Sequence, residues 1–294
     1  MNVSPRAWLQ RLQSAFTTSA QLLAPTSAAC LLCGKPQSEA RSASSYNHAK
    51  LTTQLRKSLC GACLSAIPWL THIACRRCGR GIPCEDCIRR PHGAFICNRS
   101  AVHYNQAMRA MLALYKYRGN EQLAPLLGDM LLPPFEAMTM EIIQQFIVAS
   151  SSSRKPKISI ADCWDAVTYV PVSEERAADR GFNQAEQLAS HIARRFQLPL
   201  MELLIRSRHS EKQSFKTRSE RMRDTQSLFE VNTNNLSLLA SESHSKKHLN
   251  DRAIRILLID DIYTTGSTAE ACSKALHRYV ELPLDIYILT WARS

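Results

Sequence analysis

Residues 256–268 read Ile-Leu-Leu-Ile-Asp-Asp-Ile-Tyr-Thr-Thr-Gly-Ser-Thr. The four leading aliphatics predict a strand buried on both faces, of the kind found inside a parallel sheet. Asp260 and Asp261 follow where that strand would leave the sheet at its carboxyl end, the usual ligand crevice of an open α/β fold. Thr264, Thr265, Gly266, Ser267 and Thr268 then form a hydroxyl-rich turn, and helical spacing resumes over 269–279. Amides and hydroxyls that converge at a helix N-terminus make an anion site. The two carboxylates would repel a phosphate but suit sugar hydroxyls or a magnesium ion. Strand, acid pair, turn and helix in this order point to a pocket for a phosphorylated sugar. A plainer alternative, a buried strand ending in a solvated acidic turn, explains the acids but not the whole run.

The run resembles the signature of the type I phosphoribosyltransferases, which bind phosphoribosyl pyrophosphate (PRPP). The resemblance implies a parallel α/β sheet with helices on both faces. It also implies that Asp260 and Asp261 face the ribose 2′- and 3′-hydroxyls, with magnesium accompanying PRPP, and that the turn from Thr264 to Thr268 wraps the 5′-phosphate.

The middle of the chain offers what such a pocket would lack. Residues 166–172 predict a strand, followed by a charged loop with Arg176 and Arg180 and by a helix over 185–196, where Leu188, Ile192 and Phe196 share a face. Arginine suits phosphates because its planar fork makes paired charge-assisted bonds. Arg176 and Arg180 are therefore candidates for the pyrophosphate side of the site, although alone they would read as a charged surface loop. A basic segment over 206–223 supplies Lys212 and Arg218 to the same side and predicts a flap that could close over pyrophosphate. Upstream, a helix over 108–114 leads to Lys116 and Arg118, which either reach the pocket or solvate a helix end. Asn183 and Gln184 are further candidates.

Eight cysteines form four Cys-x-x-Cys pairs: Cys30/Cys33, Cys60/Cys63, Cys75/Cys78 and Cys84/Cys87. Each pair presents two sulfurs to one ion, and two pairs complete a tetrahedral zinc site. The economical pairing puts Cys30, Cys33, Cys60 and Cys63 on one structural zinc and Cys75, Cys78, Cys84 and Cys87 on another; spacing alone leaves a crossed pairing open. Gly34 and Gly79 directly follow two of the knuckles. Residues 35–58 read as a mobile insertion between the knuckles. Cys97, Cys163 and Cys272 are isolated and have no catalytic assignment.

The formal net charge is +12, and it is uneven: residues 1–120 carry +13 and the remainder −1. Eight thiolates on two zinc ions would lower the first half to about +9, which keeps the asymmetry. A basic half suggests a polyanion. Arg76, Arg77, Arg80, Arg89 and Arg90, with His92 and Phe95, could hold single-stranded DNA by phosphate contacts and stacking; a solvated basic face accounts for them equally well. No run approaches the ~18 apolar residues of a membrane helix. Trp8, Leu9, Leu12, Phe16 and Leu22 predict an amphipathic N-terminal helix rather than a signal peptide, so a cytoplasmic location is expected, with an organelle transit peptide as a weaker alternative.

The double zinc ribbon, Lys-Tyr-Arg-Gly at 116–119, Arg-Gly-Phe-Asn-Gln at 180–184, Gln213 with Arg218 and Arg221, and the 256–268 run together resemble the ComF family. The similarity runs from Cys30 to about Leu289. It implies a phosphoribosyltransferase-like fold and a role in DNA uptake during natural transformation, or in the use of external DNA as a nutrient, with competence proteins such as a translocation helicase as partners. It does not establish a phosphoribosyltransferase activity, because neither an acceptor-binding hood nor a general base for a nucleobase stands out. Phe215 and Lys216 replace smaller or apolar residues of the family pattern, and the stretches 35–58, 139–163 and 232–250 look like long insertions. The expected organisation is an N-terminal extension over 1–26, a double zinc ribbon over 27–97 and a phosphoribosyltransferase-like domain over 98–294.

Overall fold

A computed structural model of the chain describes residues 29–36, 52–89, 92–117, 123–149, 157–206, 228–245, 253–279 and 282–294. The expected N-terminal helix, residues 37–51 of the insertion, Arg90, Arg118 and the flap bearing Lys212, Gln213, Phe215, Lys216, Arg218 and Arg221 lie outside the described residues.

Four strands, β1 (Cys97–His103), β2 (Ala166–Tyr169), β5 (Ile254–Tyr263) and β6 (Leu284–Arg293), form an all-parallel sheet in the order β1-β6-β5-β2. β3 (Leu204–Arg206) and β4 (Phe229–Val231) pair antiparallel beside it. The continuous aliphatic run at 256–259 is explained by burial from both sides. Ile256 and Leu258 share one core with Ile286 and Ile288, while Leu257 and Ile259 share the other with Tyr287, Leu289 and Trp291. A parallel sheet needs such double cover because its crossovers lie on its faces. The long helix α5 (Ala124–Ala149) and α7 (Gln184–Phe196) cover the Leu257/Ile259 face. α9 (Ser267–Tyr279) covers the Ile256/Leu258 face, with Leu236 and Leu239 of α8 (Thr233–Ser245) in the same core.

Several segments differ from expectation. Arg176 and Arg180 sit not on a loop but on a short helix, α6 (Glu174–Arg180). Ser173 caps it by accepting a bond from the Arg176 amide (3.4 Å), Glu174 and Glu175 occupy its first turn, and Gly181 closes it at φ +78°. A side-chain cap, acids at the N-terminus and a left-handed glycine are the local signals that make these seven residues helical. β2 stops at Tyr169, short of 172, where Pro171 offers no amide to a ladder.

The described parts of the supposed insertions are also largely helical. Thr53–Ser58 forms α1, whose Leu55 is fully buried, and residues 139–149 complete α5. Thr139 is likewise fully buried, donating to the Phe135 carbonyl (2.9 Å) and accepting from Trp164 Nε1 (3.1 Å). Polar composition concealed α1, which tertiary packing of Leu55 rather than propensity stabilises.

Candidate functional site

The eight cysteines gather as two groups of four, Cys30/Cys33/Cys60/Cys63 and Cys75/Cys78/Cys84/Cys87, with the four sulfurs of each within 4.8 Å of one another. The crossed pairing is thereby excluded. Cys33 Sγ lies 3.8 Å from Cys60 Sγ, matching the ~3.8 Å edge of a tetrahedron with ~2.3 Å zinc–sulfur bonds. Burial pushes the Cys30 thiol up, but the amides of Cys60, Cys33 and Leu32 outweigh it and bring it down to about 6. Burial and the neighbouring sulfurs push Cys63 upward. Crowded sulfurs of which only some ionise unaided form a donor set that a divalent cation completes, so each group could hold a zinc ion as a structural cross-link.

The two groups attach to opposite faces of the sheet. Cys30, with Leu59 and Leu64 beside the Cys60/Cys63 knuckle, belongs to the core under α5 and α7. Cys78 and Cys84 belong to the core under α9. The second knuckle is fastened to β1 as well, because Asn98 Nδ2 donates to the Cys78 carbonyl (3.2 Å). Gly79 takes φ +72°, and a Cβ there would stand 2.5 Å from the Asn98 carbonyl oxygen. We expect Gly79→Ala to lower stability by about 1–3 kcal/mol, read as a lower urea midpoint and earlier zinc release; a wild-type midpoint would contradict this tight fit.

β5 runs beyond the aliphatics and carries the acid pair within the strand, Asp260 facing Thr290 and Tyr263 facing Arg293 across the ladder with β6. The turn follows at once, with Thr264, Thr265 and Ser267 exposed. Gly266 has φ +80°, and a Cβ there would run into the Tyr263 hydroxyl, so the loop needs glycine at this point. Ser267 and Thr268 open α9 instead of preceding it. The Ser267 amide donates to Thr265 Oγ1 (3.4 Å). Asp260, Thr264, Gly266, Ser267, Thr268 and Thr290 line a shallow hollow of about 10 Å³, room for about one water.

Withdrawal from water, then the charge of Asp261, holds the Asp260 carboxyl well above the usual carboxylate range. Lys116, at the end of α4 (Gln106–Tyr117), pairs with Asp261, which settles whether it reaches the acid pair. Arg176 is exposed on α6. Arg180 donates to Gln184 Oε1 (3.0 Å). Asn183 caps α7, its Oδ1 accepting from the Ala185 and Glu186 amides, while its Nδ2 donates to the Val170 carbonyl (3.2 Å). Gln184 is buried. The last two candidates thus organise the strand-to-helix connection. Burial, then the charge of Arg176, lowers Arg206 from its ordinary value.

Of the basic residues by the second cysteine group, Arg76 and Arg89 are exposed and Arg80 is half-buried. Arg89 pairs with Glu85 one turn earlier on α3 (Glu85–Arg89), at 2.8 Å. Arg77 turns inward, 3.7 Å from Glu270 of α9 and 5.3 Å over the Phe95 ring. Phe95 is buried, which withdraws it from base stacking.

Sequence reasoning missed Thr290, Asn98, Arg293 and Glu270. Thr290 Oγ1 meets Ser100 Oγ (2.6 Å) and donates to Asn98 Oδ1 (3.2 Å), building a buried polar network under the hollow. The signal for Thr290 and Arg293 was present as polar side chains within an apolar strand run, positions seldom tolerated without a partner. A second hollow, about 580 Å³, opens beside α7 and is lined in part by Phe182, Asn183, Glu186, His191 and Arg194. Among the described residues, no helix is long and apolar enough to cross a membrane.

No protein-family model matches the chain. Competence protein ComFC of Bacillus subtilis is 29% identical over 75% of this chain and 78% of its own length. Competence protein ComFC of Streptococcus pneumoniae is 28% identical over 84% and 92%, and competence protein F of Haemophilus influenzae 21% identical over 76% and 86%. The chain is thus similar over most of its length to these competence proteins.

Proposed function

We propose that the chain is a cytoplasmic competence factor acting in DNA uptake, and that the hollow at the end of β5 binds PRPP or a related phosphosugar with magnesium. One observation carries this reading: Asp260 of the acid pair, the hydroxyl-rich loop and the N-terminus of a thirteen-residue helix adjoin one hollow. The N-terminal amides of α9 with Thr264, Thr265, Ser267 and Thr268 suit a 5′-phosphate. Asp260 and Asp261 suit the ribose hydroxyls and the cation. Arg176 and Arg180, joined by Lys212 and Arg218, would meet pyrophosphate.

If the pocket turns over, displacement at the anomeric carbon releases pyrophosphate, and these cations would stabilise the departing charge. A phosphoribosyltransferase of unknown acceptor is therefore the alternative reading. Calorimetric titration with PRPP and magnesium tests the pocket; a folded, zinc-loaded protein that takes up no PRPP would refute it. Pyrophosphate release over a panel of acceptors separates enzyme from binding protein.

The DNA part of the proposal rests on Arg76, Arg80, Arg89 and Arg90. Replacing Arg76 and Arg80 with alanine is expected to weaken single-stranded DNA retention and reduce the salt slope by about 0.7 per arginine. An unchanged electrophoretic shift would remove DNA from this face. Ile82 and Ile88, 61% and 73% exposed beside the second cysteine group, favour a protein partner there, such as a translocation helicase.

A further inference from the structure

The second cysteine group and the loop after β5 meet through one buried side chain. Arg293 is 4% exposed near the end of β6, opposite Tyr263 in the ladder. Its Nη1 donates to the carbonyls of Thr264 (2.9 Å) and Tyr263 (3.2 Å) and also to that of Ser294. Its Nη2 donates to Cys78 Sγ (3.9 Å), and the guanidinium carbon stands 4.7 Å from the Tyr263 ring centroid. The Ser294 amide adds a bond to the Tyr263 carbonyl (3.0 Å).

A second set of contacts closes the same circuit from the other side. Phe95 meets Tyr263 edge-on at 6.3 Å. The Ala94 amide donates to Glu270 Oε2 (3.1 Å), and His277 Nε2 meets the Ala94 carbonyl (2.9 Å). Both Glu270 and His277 lie on α9, the helix that the loop opens. The cysteine group, the loop and the helix therefore share one frame of contacts.

We propose that Arg293 is a positioning residue that makes the loop at 264–268 dependent on the second cysteine group. A guanidinium suits this task because its fork can serve carbonyls and a sulfur in fixed directions at once. With Cys78 held as a metal thiolate, Nη2 would be anchored by a charge-assisted bond, and Nη1 would then fix the Tyr263 and Thr264 carbonyls. The amides and hydroxyls that follow point accordingly. The functional consequence rests on the phosphosugar reading above; the mechanical tie does not.

The test uses the full chain loaded with cadmium in place of zinc, as wild type, Arg293→Gln and Arg293→Lys. Cadmium-113 resonances report the two metal sites separately, and hydrogen exchange followed by mass spectrometry reports residues 262–268. In Arg293→Gln, which retains two metal ions per chain, one of the two resonances moves and loop exchange quickens about tenfold or more, the scale of one lost buried charged hydrogen bond. Arg293→Lys keeps the charge without the fork and shows both changes to a smaller degree. Wild-type resonances and wild-type exchange in either folded variant would overturn the tie. Titration with ribose 5-phosphate then reads the consequence, with affinity reduced about tenfold in Arg293→Gln. A wild type that takes up no ribose 5-phosphate, but whose loop exchange still depends on Arg293, would remove the phosphosugar reading and leave the tie standing.

Discussion

Asp261→Asn in combination with Asp260→Asn is expected to reduce PRPP affinity at least a hundredfold, on the basis of about 1.5–3 kcal/mol for each hydrogen bond to a charged group. Calorimetric titration with magnesium checks this, and retention of affinity within threefold would sink the assigned role of the acids. Asp260→Asn alone carries an opposite expectation for stability. The folded protein holds the Asp260 carboxyl well above its ordinary range, first by withdrawal from water and then by the Asp261 charge. A raised carboxyl favours the fold while protonated. Its contribution is full below the unfolded value and is lost as pH rises through the folded one. Near neutral pH the variant should therefore exceed wild type by about 1 kcal/mol or more, a gain of a few degrees in Tm. The gain should shrink as pH falls toward 4. A residue that costs stability and sits in the hollow is what a binding group looks like.

Loss of the zinc that the second cysteine group could hold should have the larger structural effect. A structural zinc site in a small ribbon supplies about 10–16 kcal/mol of folding free energy, comparable to the whole stability of a domain, about 5–15 kcal/mol. Cys78→Ser is expected to release one zinc per chain and to loosen Phe95, Tyr263 and the loop, since Cys78 shares their core. Cys60→Ser also releases one zinc, but it disturbs Leu55, Leu59 and Leu64 in the core under α5 and α7. Zinc content, dye binding to exposed apolar surface and PRPP titration on both variants distinguish them. Loss of PRPP binding in Cys78→Ser with retention in Cys60→Ser is the expected pattern. Equal loss in both would mean that the two faces of the sheet melt together.

The opposite attachment of the cysteine groups was not legible in their spacing. Spacing predicts which sulfurs can share an ion, and it brought out the pairing that the fold adopts. It carries no information on which side of a sheet each knuckle docks, because that depends on Leu59, Leu64 and Phe95 meeting residues far along the chain. The same limit applies to Arg77. Near the knuckle it reads as one of a basic cluster, yet it pairs with Glu270, 193 positions later. Lys116 was legible as a candidate and undecided in role until α4 brought it to Asp261.

The amino-acid sequence by itself determined the buried central strand, the acid pair at its end, the hydroxyl-rich loop with its glycine, and the four metal knuckles. Each of these is a local pattern in which neighbouring residues carry the whole signal: continuous aliphatics, a turn needing positive φ, two sulfurs separated by two residues. Only the tertiary structure decided the partners of the buried polar side chains. Arg293 joins Cys78 to Thr264, Thr290 joins Asn98 to the floor of the hollow, and Thr139 receives the Trp164 indole. A polar group inside a sheet must find a hydrogen bond, but which group answers it depends on strand order and on the side from which each helix returns.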